Sequence, residues 1–377
     1  MPPHQKKNSS VPSRVPEIRL VAWEVTRQCN LSCLHCRASA GSEPYPDEFS
    51  TSEGLSLLDQ IRETGQPVVI LTGGEPLLRP DIFDLTRHGH SLGLRMVMAV
   101  NGTLLDVEKA RKLKDAGIQR ISISMDGATA ESHDFFRQVE GAFKGIIQGI
   151  EAARSAGLEY QINTTVTRFN LHDLARIQEK VIEMGAVAHH IFMLVPTGRG
   201  RALTDQTISA QEYEKTLTWL VRRKQEIPLS IKATCAPHYY RILREVAREE
   251  GKEITFKSHG LDAVTRGCLG GAGFCFISHQ GKVQPCGYLE VDSGNLRRQS
   301  FKEIWESSPV FLAIRDRSQY TGKCGQCEYF RVCGGCRARA FEATGNYLSE
   351  EPLCTYQPKN QAGGKGREAR NHQDRNP

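Results

Sequence analysis

The chain has 377 residues, 39% hydrophobic and 24% charged, which suits a folded protein with a real core and excludes a disordered or fibrous one. Its net charge of +6 resides in two polar ends: residues 1–16 hold Lys6, Lys7 and Arg14 with no acid, and residues 359–377 hold five basic residues against Glu368 and Asp374. The neutral stretch between them carries no nucleic-acid footprint, and no apolar run reaches the ~18 residues of a membrane span or forms a secretory signal at the start.

From residue 17, short β-rich runs alternate with helical patterns. Strands are predicted over 19–26, 67–72, 94–100, 120–125, 159–166 and 188–195, with helices such as 106–116 and 143–156 between them. Gly93, Gly117, Gly157 and Gly185 fall where those helices should stop. Six β-α units in series predict a parallel sheet with helical crossovers. Polar and glycine-rich residues follow several strands at once: Gly73 to Pro76, Asn101 to Thr103, Asp126-Gly127 and Pro196 to Gly200. That distribution favours a barrel-like sheet over an open one with a single crevice. Past residue 236 the alternation gives way to short, Cys- and Gly-rich elements, expected of a small domain held by metal clusters. The predicted organisation is α/β: a partial (β/α)6 TIM-like barrel over 17–235, a cysteine-rich domain over 236–358, and flexible tails at 1–16 and 359–377.

Twelve cysteines are the strongest chemical signal. The compartment is expected to be reducing and cytoplasmic, where close-spaced cysteines bind metal more often than they form disulfides. Cys29-x3-Cys33-x2-Cys36 follows the first strand directly. Three such thiolates suit three irons of a [4Fe–4S] cube and leave the fourth iron open to a chelating small molecule. Zinc would want a fourth ligand, and plain buried thiols are the remaining alternative.

This spacing, placed after the first strand of a β-α series, resembles the radical S-adenosylmethionine (SAM) superfamily. Gly73-Gly74-Glu75-Pro76 after the second strand is similar to that family's motif for the SAM amino group. The resemblance implies a [4Fe–4S] cluster on Cys29, Cys33 and Cys36, a countercharge from Glu75, and glycines that permit close backbone approach. It places His35 near the adenine, and Ser124, Asp126 and Asn163 near the ribose and carboxylate. It also implies an external low-potential electron donor, reductive cleavage of the sulfonium, and hydrogen abstraction by a 5′-deoxyadenosyl radical.

The later cysteines read Cys268-x6-Cys275-x10-Cys286, then Cys324-x2-Cys327-x5-Cys333-x2-Cys336, then Cys354. They resemble the SPASM extension of many radical SAM enzymes, including its Gly281-x4-Cys286 element. By that resemblance Cys268, Cys275, Cys286 and Cys336 hold one auxiliary cluster, and Cys324, Cys327, Cys333 and Cys354 a second. The spacing of two between Cys333 and Cys336 departs from the usual three. Cys235 has no partner in the pattern and is expected to be a structural thiol.

The wording between the motifs, notably RLVAWEVTRQCNLSCLHCRASA and HHIFMLVPTGRGR, resembles the haem b synthases of the siroheme-dependent pathway. That resemblance implies iron-coproporphyrin III as substrate, two of whose propionates become vinyls with loss of carbon dioxide. Each conversion releases an electron, for which an auxiliary cluster is the natural acceptor. A flat tetra-anion wants cationic anchors, and Arg199, Arg201, Arg168, Arg27, His189 and His190 are the candidates. The competing readings are a sister tetrapyrrole enzyme, a SPASM peptide modifier and a multi-cluster electron carrier. The GGEP motif and the barrel argue against the carrier. Many peptide modifiers bear an extra N-terminal domain, for which the 16 residues before the first strand leave no room.

Overall fold

The structure is a computed structural model that describes residues 15–359, so the tails expected at either end fall almost wholly outside the described residues. Seven strands lie side by side in chain order, every neighbouring pair parallel: β1 (Leu20–Thr26), β2 (Val68–Gly73), β3 (Arg95–Val100), β4 (Ile118–Ser124), β5 (Tyr160–Val166), β6 (Ala188–Met193) and β7 (Ser230–Thr234). The connecting helices are α1 (Thr51–Thr64), α2 (Ile82–Ser91), α3 (Val107–Asp115), α4 (Ala130–Arg137), α5 (Ala142–Ser155), α6 (Leu174–Glu183) and α7 (Ala210–Glu226), and α8 (Tyr239–Glu249) follows β7. Right-handed crossovers between strands taken in order put the helices on one face and curl the sheet around the other. This is the partial barrel that the strand-end residues predict. The six predicted strands are present to within two residues at each end. β7 is an addition, because Ser230–Thr234 offers only Ile231 and Ala233 to the core.

The barrel forms because its strands alternate. Val21, Trp23, Val69, Leu71, Met96, Met98, Ile121, Ile123 and Ile162 meet Leu57, Leu58, Ile61, Leu85, Leu113 and Ile146 of the helices, each at most 1% exposed. Burying a side chain of this size is worth roughly 2 kcal/mol over leaving it in water. The intervening residues, among them Glu24, Thr72, Ser124, Asn163 and His190, therefore point to the inner face. Ser50 and Ser209 start α1 and α7 with capping boxes closed by Glu53 and Glu212, each worth about 1 kcal/mol. Gly93, Gly117, Gly157 and Gly185 all take the left-handed backbone at their helix ends.

The cysteine-rich segment continues the same sheet. β8 (Phe274–Ile277) pairs parallel with the outer side of β1, and β9 (Lys282–Gln284) and β10 (Gly294–Asn295) add antiparallel, making ten strands in all. Short helices surround it: α9 (Phe256–His259), α10 (Phe301–Ser307), α11 (Pro309–Arg315), α12 (Gly322–Gln326) and α13 (Arg337–Thr344). Among the described residues no helix is long and apolar enough to cross a membrane.

Candidate active site

The sequence candidates converge at the C-terminal ends of the strands. Cys29, Cys33 and Cys36 lie on the loop leaving β1, packed with Leu31, Ala38, Ala40 and Ala142. Each sulfur meets N–H donors: Leu31 N at 3.4 Å on Cys29, Ala40 N at 3.4 Å on Cys36, and Arg137 Nη1 at 3.5 Å on Cys33. Burial lifts the Cys29 thiol to about 11, and the charges of Glu75, Cys33 and Cys36 add to the rise. Such a set is held as thiolates only with a cation among them, which iron supplies. Nearby, His35 Nδ1, Thr197 Oγ1 and Arg199 Nη2 are buried with no hydrogen-bond partner, the polar atoms a bound group would satisfy. The donor set therefore fits an iron–sulfur cluster with a small polar ligand. Among the described residues no group of His, Cys, Asp and Glu closes on a single metal ion.

Gly73 and Gly74 serve the loop that carries the thiols. A Cβ on either would stand about 2 Å from the carbonyl oxygen of Thr26 or Gln28, and Gly74 N and Glu75 N donate to those oxygens at 2.8 Å. The close approach expected toward a ligand is thus made first to the chain entering Cys29. Glu75 is fully buried, its carboxylate accepting from Leu77 N at 3.1 Å and Asn101 N at 2.7 Å. Burial lifts it to about 7 against those two hydrogen bonds, and no side-chain cation offsets the rise. An ammonium group is the ligand that such a carboxylate lacks.

Ser124 and Asn163 are register partners on β4 and β5, and His190 lies beside Asn163 on β6, so the three share the inner face. His190 Nδ1 meets Gln161 Nε2 at 2.9 Å. His189 faces the helix layer instead, its Nε2 2.9 Å from Thr164 Oγ1. Asp126 is already engaged: Oδ1 accepts from Thr165 N at 2.6 Å, and Oδ2 pairs with Arg137 and lies 3.7 Å from His35 Nε2. The His35 ring packs on Phe136 at 4.5 Å. Burial, with Arg137 and Arg199 beside it, holds His35 well below its ordinary range. Nothing in the spacing around Arg137, at the end of α4, marks it in the sequence.

Of the four arginines considered as substrate anchors, three already have partners in the fold. Arg199 donates to Cys33 O at 2.9 Å and Ala40 O at 2.6 Å, and its backbone N–H to Cys36 O at 3.0 Å. It laces the thiol loop together from the end of β6. Arg201 forms a bidentate pair with Glu342 of α13 at 3.0 and 3.1 Å, Arg27 is paired with Glu24 at 2.9 Å, and Arg168 is solvent-exposed. Arg199→Lys is expected to lose the two carbonyl bonds, about 1.5–3 kcal/mol, lowering both the thermal midpoint and the iron retained. An unchanged midpoint would remove the brace.

Glu24 on β1 is a hub the sequence did not reveal. It accepts from Arg27 Nε, Arg37 Nη2 and His279 Nδ1 at 2.9, 2.9 and 2.7 Å, tying β1 to the thiol loop and to the β8–β9 turn. Burial alone would raise its carboxyl, but Arg37, His279 and Arg27 hold it down at about 2, against an ordinary 4.5. Its contribution is complete above pH 4.5 and is lost as pH falls toward 2. Glu24→Gln should therefore cost about 3 kcal/mol at neutral pH, with the difference from the parent narrowing only in acid. A difference that shrinks instead on going alkaline would contradict this sign.

The C-terminal thiols form two groups. Cys324, Cys327, Cys333 and Cys354 line one pocket with His238, Arg241 and Lys323. Cys324 Sγ accepts from Arg337 Nη2 at 3.5 Å and Glu351 N at 3.4 Å. Cys268, Cys286 and Cys336 gather on the barrel side: Cys286 and Cys336 share a cluster with Val195 and Leu289, and the chain leaving Cys268 runs against Cys286, where a Cβ on Gly270 would stand 3.7 Å from the Cys286 Cβ. Gly334 and Gly335, at φ 76° and 63°, make the tight turn that the short spacing from Cys333 to Cys336 demands. Cys275 stands outside both groups, in the main core.

Comparison with known proteins agrees with this architecture. The family profile "Radical SAM superfamily" matches residues 23–181, and "Iron-sulfur cluster-binding domain" (SPASM) matches 268–328. The AdoMet-dependent heme synthase of Nitratidesulfovibrio vulgaris is 55% identical over 91% of this chain and 94% of its own. That of Methanosarcina barkeri is 52% identical over 90% of this chain and 97% of its own. The crystal structure of Streptococcus suis SuiB bound to precursor peptide SuiA superposes with a TM-score of 0.72 over 90% of this chain and 76% of that chain, at 16% identity, a likeness of fold alone. With more than half its residues shared over nine-tenths of its length, and the same barrel and cysteine-rich segment, the chain belongs to the radical SAM superfamily, in the family of the AdoMet-dependent heme synthases.

Proposed function

We propose that this chain is a radical SAM oxidoreductase that forms haem b by oxidative decarboxylation of two propionates of iron-coproporphyrin III in the siroheme-dependent pathway. The observation that carries the reading is the identity of 52–55%, over 90–91% of this chain, with relatives named AdoMet-dependent heme synthase. The site suits it. Cys29, Cys33 and Cys36 would hold the cluster, Glu75 the SAM ammonium, and Ser124 and Asn163 its ribose and carboxylate. Bound together, cluster and SAM supply an oxidant able to take hydrogen from an unactivated carbon.

The chain's own part is placement. Alternation on β4, β5 and β6 presents Ser124, Gln161, Asn163 and His190 to one inner face, so that Ser124 and Asn163 can serve SAM while His190 is left for the substrate. Burial, then Lys232 and His189, hold His190 down at about 3, so it meets the substrate as a neutral imidazole and fixes a carboxylate by hydrogen bond. Arg168, exposed beyond β5, is our candidate cation for an outer propionate. Hydrogen removal from the carbon next to the ring, followed by loss of carbon dioxide, leaves a vinyl group and one electron. The thiols of the cysteine-rich segment would hold the acceptor for it. A low-potential donor outside the chain supplies the electron that starts each round, and the cytoplasm is the compartment in which closely spaced thiols stay reduced and free to bind iron.

Anaerobic reconstitution with SAM, dithionite and iron-coproporphyrin III, followed by mass spectrometry, tests the reading. Two successive losses of carbon dioxide plus two hydrogens, each matched by one 5′-deoxyadenosine, are expected. Deoxyadenosine without change in the porphyrin overturns the substrate and points to a sister tetrapyrrole; no SAM cleavage overturns the reading as a whole.

A further inference from the structure

We propose that Cys235 and not Cys275 completes the barrel-side auxiliary site, so that its four ligands are Cys235, Cys268, Cys286 and Cys336. The inference rests on the reading of the C-terminal thiols as iron–sulfur ligands and changes which residues they are.

Strand geometry removes Cys275. It pairs with Val21 across the β1–β8 ladder, and the next residue, Phe276, pairs with Ala22. Successive residues of a strand point to opposite faces. Phe276 points toward Cys286: a Cβ on the adjacent Gly287 would stand 3.0 Å from its ring, and Arg37 of the thiol loop lies over that ring at 4.4 Å. Cys275 therefore points the other way. It is fully buried in the main core with Trp305 and Phe311, and Arg315 stacks on those two rings at 4.4 and 5.4 Å. Turning its sulfur toward Cys286 would require a one-residue slip of β8, which would carry Phe276 and Ile277 to the wrong faces as well.

Packing brings Cys235 in. It directly follows β7, at the same end of the barrel as every other functional loop. With Cys286 it packs on Val195, Leu289, Ile314, Cys336 and Ala338. Two residues on, Pro237 lies against the chain entering Cys268: a Cβ on Gly267 would stand 2.7 Å from the Pro237 Cα. Cys235 also has a left-handed backbone, φ 54°, unusual for a residue with a side chain. The conformation is held by Arg339 Nη2 at 2.6 Å and Tyr213 Oη at 3.2 Å on its carbonyl, Arg339 being one turn of α13 beyond Cys336. Such strain persists where surrounding contacts over-determine it and often marks a functional position. Four thiolates is the protein ligand count of a closed [4Fe–4S] cluster.

The test reads metal and not turnover. In a full-length chain with Cys29, Cys33 and Cys36 all changed to alanine, only C-terminal clusters remain. In that background Cys235→Ala should lose about four irons per chain, or show a three-iron electron paramagnetic resonance signal. Cys275→Val should match its parent in iron, sulfide and spectrum. Full iron and an unaltered spectrum in Cys235→Ala overturn the proposal, as does iron loss from a folded Cys275→Val. Should valine not be accommodated, Cys275→Ala, which removes only the sulfur, decides the same point. A background chain with no iron at all overturns the proposal together with the reading of C-terminal clusters, and is told apart by the parent's own analysis.

Discussion

Glu75→Gln is expected to weaken SAM binding about a hundredfold while leaving the cluster on Cys29, Cys33 and Cys36 in place. Glu75 is wholly enclosed and held by the amides of Leu77 and Asn101, so its oxygens are fixed before any ligand arrives. A charge-assisted contact of this kind, buried and preorganised, is worth about 3 kcal/mol, or two powers of ten in affinity. Glutamine keeps the shape and still accepts one of the two amides, so the loop around Thr26 and Gln28 has no reason to move. Equilibrium binding of SAM to the reconstituted variant checks this, with iron content as the control. Affinity within a few-fold of the parent would mean that the SAM ammonium sits elsewhere.

Arg339→Met is expected to cost about 3–5 kcal/mol of stability, as loss of one partner of a buried ion pair does. Arg339 is 3% exposed and Glu351 fully buried; they pair at 2.8 Å. The same guanidinium donates to Leu194 O, Tyr213 Oη and Cys235 O, so one side chain joins β6, α7, the end of β7 and α13. Methionine fills much of the volume but leaves the Glu351 carboxylate buried with only the amides of Cys336 and Leu353 for company. Denaturation of the reconstituted variant should show the loss, and pairing it with Glu351→Gln should recover part of it. Additive losses in the double variant would mean that the two groups act separately.

The parts legible in the sequence are those whose signal is local. A strand announces itself by alternation within seven residues, and three thiols within eight residues specify a cluster without reference to anything distant. The thiol loop, the GGEP turn and the six strands are all of this kind. The polar scaffold is not. Arg137 reaches Cys33 from 104 residues away, and His279 reaches Glu24 from 255 away. Nothing near either residue distinguishes it from an ordinary surface charge. Arg199 shows the converse: its type and place suggested a carboxylate clamp, but a guanidinium satisfies backbone carbonyls equally well, and only the fold determines which it meets. Cysteine spacing is a pattern along the chain, and it does not contain the face of β8 on which Cys275 lies.

The hydrogen bonding of β8 onto β1 has a consequence for any attempt to shorten the chain. A chain ending after β7 would leave the backbone of Val21 to Trp23 bare along one whole side, beside a strand whose outward residues are Val21, Trp23 and Val25. An apolar, unprotected sheet margin of that length recruits further copies. Such a fragment is expected to aggregate when expressed alone, so the barrel's solubility depends on the segment that carries the second set of thiols.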